Sequence, residues 1–143
     1  MNDKEIILEQ YKLFVNTAEK VSDRRQLANS FFLTINSVLL TFSGYLATTA
    51  TGLWYFIIPA VGVLISYFWL KTINSYRQLN TGKFKVIHDI EKKLPIALFK
   101  DEWDYLGQGE TKEYVKLTVV ESGVPIVFMF LYVLTLIFSL ICN

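Results

Sequence analysis

From Phe31 to Leu70 the chain carries no Lys, Arg, Asp or Glu. A helix needs about 20 residues to cross the hydrocarbon core of a bilayer, so an uncharged run of this length suits two spans rather than one. A soluble bundle does not account for it, because buried helices rarely run about 18 residues with no charge on any face. A second uncharged block covers Val124–Cys142. Hydrophobic residues make up 52% of the 143 and charged residues 19%, which leans away from a soluble protein. The fold expected is all-α, a membrane protein of three transmembrane helices.

Four parts follow: an amphipathic helix over 1–26, a transmembrane hairpin over 27–70, a helical region over 71–118 and a third span over 119–143. The first span runs from about Leu27 to Thr48 and the second from Leu53 to Leu70, with only "TTATG" at the turn. Trp54 and Tyr55 at one end of the second span, and Tyr67 and Trp69 at the other, fit an aromatic belt. Pro59 and Gly62 are candidate bend points, and a membrane helix tolerates Pro because neighbouring helices can satisfy the freed carbonyl. No secretory leader is expected, because the first apolar block is too long for one and the residues before it are highly charged.

Ile7, Tyr11, Phe14, Ala18 and Val21 recur at helical spacing and form one apolar stripe. Five acids and five bases occupy the other faces. Balanced charge argues against a basic helix lying on lipid, so this stripe is expected to pack on another helix. Its counterpart lies in Lys71–Leu94, where Ile73, Tyr76, Phe84, Ile87, Ile90 and Leu94 are apolar at mostly helical spacing. Ile7, Tyr11, Phe14, Val21, Phe84, Ile87 and Ile90 are therefore the candidate assembly residues outside the membrane. Asn80-Thr81-Gly82 is a candidate kink, and Pro95 should stop the helix. "FKDEWDYLGQGE" begins as a short helix and breaks at Gly107 and Gly109.

Five of the 14 Lys and Arg precede the first span and the other nine lie between the second and third. The positive-inside rule puts those segments in the cytoplasm, with the N-terminus inside and the C-terminus outside.

Reactive groups are sparse. His88 is the single histidine and Cys142 the single cysteine, which excludes an internal disulfide and a Cys-based metal site. Asp101, Glu102 and Asp104 read as a solvated face, and Gly82-Lys83 lacks the spacing of a phosphate loop. No enzyme, cofactor, metal or direct nucleic-acid binding is expected, and membrane lipid is the expected surrounding.

The strongest remaining signal is a polar seam in "ANSFFLTINSVLLTFSGYLATTA". Ser30, Thr34, Ser37, Thr41, Gly44 and Thr48 recur at alternating steps of four and three, with Asn29, Asn36 and Ser43 beside them. Lipid gives helices no hydrophobic reason to associate, so close packing and interhelical hydrogen bonds act instead, and small hydroxyl residues favour both. The seam, with Asn29 and Asn36, is the candidate subunit interface or pore lining. Glu121, one turn before Pro125, is a candidate mouth charge, with an interfacial position or a salt bridge as the other readings.

The order of "SDRRQLANSFFLTINSVLL", a tight hairpin, "NSYRQLNTGKFKVIHDIEKKLP", "EW" and "ESGVPIVF" resembles the bacterial RipA family octameric membrane proteins. In outline it is also similar to SLATT-type membrane effectors, although those usually have two spans. The resemblance implies a homo-oligomer of about eight subunits in the bacterial cytoplasmic membrane. For the SLATT relatives it implies pore formation, and a signalling or nucleotidyltransferase partner. Two functions compete: a pore-forming effector in a defence or stress system, and a non-conducting scaffold that anchors a cytoplasmic partner.

Overall fold

A computed structural model describes residues 2–49, 52–109 and 116–142. The hairpin turn at 50–51 and the stretch 110–115 lie outside the described residues, and of Thr48 and Cys142 only the helical backbone is described. Every element described is helical: α1 (Asp3–Thr49), α2 (Trp54–Glu91), α3 (Leu98–Tyr105), a single 3-10 turn at Gly107–Gly109, and α4 (Leu117–Cys142). Three of the helices are long and apolar enough to cross a membrane.

The two long helices are twice the length a bilayer requires. At 1.5 Å per residue, the 47 residues of α1 extend about 70 Å against a hydrocarbon core of about 30 Å. The amphipathic segment and the first span are one helix, and so are the second span and the helix after it. The helix also passes through Asn80-Thr81-Gly82 without interruption. A glycine inside a helix costs about 1 kcal/mol, and the flanking Ile73 and Ile87, both buried, hold the backbone on either side. α2 ends at Glu91 rather than Leu94, since the residue before Pro95 is pushed out of the helical region.

α1 and α2 lie antiparallel, and four side-chain contacts fix their register. Tyr11 meets Glu91, Thr17 meets Lys83, Asn29 meets Trp69 and Asn36 meets Ser66. α4 covers only the membrane half. It packs along α2, so α2 is the middle helix, and α1 and α4 touch at few points. Gly62, buried midway along the membrane half of α2, allows close approach. A Cβ there would run into the Tyr132 ring, and the ring in turn is fully buried.

Gly62→Ala is accordingly expected to destabilise the subunit by about 1–3 kcal/mol through overpacking. The check is the unfolding midpoint in detergent, and the penalty should shrink when Tyr132→Leu removes the ring in the same molecule.

Candidate functional site: two polar faces of one helix

Asn29, Asn36 and Ser43 are seven residues apart, so they stack on one side of α1, and that side faces α2 and α4. Asn36 is fully buried. Its Nδ2 donates to the Phe32 carbonyl at 2.9 Å and its Oδ1 accepts from Ser66 Oγ at 2.8 Å. Its backbone carbonyl accepts from Tyr132 Oη at 2.9 Å. One residue thus ties all three spans together. About two turns nearer the charged half, Trp69 Nε1 donates to Asn29 Oδ1 at 2.9 Å, and the indole stacks on Phe32 at 6.0 Å between centroids.

The hydroxyl seam faces elsewhere. Ser30, Thr34, Ser37, Thr41 and Gly44 are all exposed on the subunit. At 100° per residue they lie about 120° round the helix from the asparagines. Thr34 donates back to the Ser30 carbonyl and Thr41 to the Ser37 carbonyl, both at 2.9 Å. The two threonine hydroxyls therefore carry no unmet donor, while the helix surface stays narrow and open. Nothing lies within 4 Å of a Cβ built on Gly44. Within the group expected at an interface or pore, half-buried Asn29 and buried Asn36 make their hydrogen bonds inside the subunit, while Ser30, Thr34, Ser37, Thr41 and Gly44 are exposed on its surface.

Glu121 is not a free charge either. Arg25 Nε donates to Glu121 Oε2 at 2.7 Å, Arg25 Nη2 forms an ion pair with the same oxygen, and Nη2 also donates to Thr118 Oγ1 at 3.0 Å. Both side chains are mostly buried, at 11% and 19% exposure. The salt-bridge reading is the one that applies, and the bridge is the main tie between α1 and the start of α4.

In the charged half, Val21 and Ile87 are buried, and Ile7, Tyr11, Phe14, Phe84 and Ile90 are half-buried. They close the α1–α2 seam within one subunit. Lys83 sits 4.9 Å from the centre of the Phe14 ring. Glu91 completes this half. It is buried, accepts from Tyr11 Oη at 3.1 Å, and accepts from the backbone N–H groups of Phe99 at 2.8 Å and Lys100 at 3.2 Å. Those amides are two of the unpaired donors that open α3. The carboxylate thus caps α3 from a distance and complements its dipole. Burial, and then the bond to Glu91, push the Tyr11 phenol up to about 12, so it stays a neutral donor. Sequence reasoning passed over Glu91. The available signal was its place on the Phe84–Ile87 stripe, an acid where an apolar residue was due.

The family model for octameric membrane proteins (8xMP) matches residues 8–141. The chain belongs to that family. Neither the curated proteins nor the solved structures compared with it contain a match. A member of an octameric family presents its subunit surfaces to other copies as well as to lipid.

Two outcomes test the internal ties. A double-mutant cycle with Arg25→Gln and Glu121→Gln should give a coupling energy of about 1–3 kcal/mol in detergent unfolding. Glu91→Ala should cost about 2–3 kcal/mol and speed hydrogen exchange at the Phe99 and Lys100 amides, with Glu91→Gln falling between it and the parent.

Proposed function

We propose that this protein assembles as a ring of eight subunits in the bacterial cytoplasmic membrane and permeabilises that membrane, as the effector of a defence or stress system. The observation that carries the reading is the hydroxyl face of α1, which the subunit's own hydrogen bonds leave outside. In lipid such a face drives helices together, and here it is available to another copy. Ring geometry then supports a passage. Even a ring of one helix per subunit, eight helices about 10 Å apart, closes on a circle of radius about 13 Å with an opening about 16 Å wide that opposed side chains do not fill, and subunits that contribute more than one helix to the ring widen it. The charged halves of α1 and α2, with α3, would face the cytoplasm, as the basic residues indicate, and would receive the trigger there. No catalytic step is part of this proposal.

The scaffold reading draws on a different observation. α1 and α2 project far beyond the bilayer and carry α3 at their tip, a shape that also suits a platform for a cytoplasmic partner.

Liposomes loaded with a fluorescent dye or a potassium reporter separate the two. The pore reading expects leakage from liposomes holding the purified octamer, reduced at least about tenfold by Ser37→Leu with Thr41→Leu, whose bulk blocks close packing along the seam. A protein that stays octameric and never leaks, in cell extract containing the activated defence or stress signals as well as in buffer, is the scaffold.

A further inference from the structure

The charged half of the subunit has two exposed edges of opposite sign, on the second of which Lys71 lies 5.4 Å from the centre of its own subunit's Tyr67 ring. On α1, Glu19 and Asp23 are exposed and make no ion pair among the described residues. They lie on the far side of the helix from buried Ala18 and Val21. Asp23 stands seven residues before Ser30, so this acidic edge continues directly into the hydroxyl seam. Lys12 on the same edge is already paired with Glu9 at 2.9 Å, while Lys20 lies about 60° and Arg24 about 100° round the helix from Asp23, both on the side away from Glu19. On α2, Lys71, Arg77, Lys83 and Lys85 are the only charged residues between Lys71 and His88. Lys83 reaches back to Thr17 of its own subunit. The other three are exposed along a groove lined also by Asn74, Gln78 and Thr81.

We propose that neighbouring copies in the octamer meet through these two edges, the α1 edge of one against the α2 edge of the next. The inference rests on the ring assembly argued above. A closed ring of eight needs a head-to-tail contact between two different patches, and these patches differ in sign and sit on opposite sides of the α1–α2 pair. Rotation about the membrane normal keeps every residue at its own height. The register of the subunit therefore applies across the contact: Asp23 is level with Arg77, and Glu19 lies between Arg77 and Lys85. Farther down, the seam at Thr34 comes level with exposed Tyr67 of the neighbour, a small side chain opposite a large one, as close helix approach requires. Isolated surface pairs contribute little, but here the same pairs recur at every contact of the ring, and they fix which edges meet.

The test is a charge exchange read by native mass spectrometry of the full-length protein in detergent. Arg77→Glu with Lys85→Glu should lower the octamer fraction at least about tenfold, and Glu19→Lys with Asp23→Lys should do the same. All four changes together should restore it. As a second measure, Asp23→Cys with Arg77→Cys in a Cys142→Ser background should give a ladder of covalent oligomers up to eight on oxidation. An octamer indifferent to either reversal, or not restored by the exchange, overturns the proposal. So does a basic edge whose reversal only removes bound anionic lipid, or a disulfide confined to single chains. A parent protein that is not octameric overturns the ring as well, which distinguishes the two failures.

Discussion

Asn36 is the interaction on which the membrane half depends. In hydrocarbon there is no water to accept a stray donor, so each buried polar group must find a partner inside the protein. Asn36 answers this with a side chain shared between its own helix and α2, and a carbonyl shared with α4. The Tyr132 hydroxyl reaches that carbonyl only because Gly62 lets the ring lie flat on α2. The amide, the glycine and the phenol are therefore one arrangement, and the loose contact between α1 and α4 elsewhere is tolerable because of it.

Outside the bilayer the same two helices continue, but the forces change. Water now satisfies exposed backbone and charge, and burial of apolar side chains again favours association. Phe14, Val21, Phe84 and Ile87 supply it, and Glu91 orders the tip by gathering the Tyr11 hydroxyl and the first amides of α3. One continuous pair of helices is thus held by two chemistries, a hydrogen-bonded node in lipid and an apolar seam in water. Arg25, Glu121 and Thr118 stand at the crossing point, where a charge pair can be half shielded without being stranded in hydrocarbon.

Much of this was legible from residue spacing. The spans and the apolar stripe on either side of the charged α1–α2 contact were all in the periodicity. The two polar stripes of α1 were visible too, but not their division of labour. Asparagine, serine and threonine are alike in a hydropathy pattern. Which stripe turns inward is decided by distant partners, Ser66 for Asn36 and Trp69 for Asn29, that no local window contains. A salt bridge was among the readings of Glu121, but its partner was hidden for the same reason, since Arg25 lies 96 positions away in the chain. Helix continuity is read less easily for a different reason: a change from apolar to charged composition looks like a boundary, whereas the backbone crosses it without needing one.

The division between the stripes has a physical logic. Asparagine brings two donors and an acceptor that cannot be met by its own helix alone, so it demands a partner and is safest buried in the subunit. Serine and threonine can satisfy their hydroxyl on the carbonyl one turn back, as Thr34 and Thr41 do. Such a face survives in lipid before assembly and still offers oxygen acceptors and a narrow profile to a neighbour afterwards. A subunit that must exist alone in the membrane before it finds seven others is best served by placing its demanding polar groups inside and its self-sufficient ones outside. That is the order in which α1 arranges them.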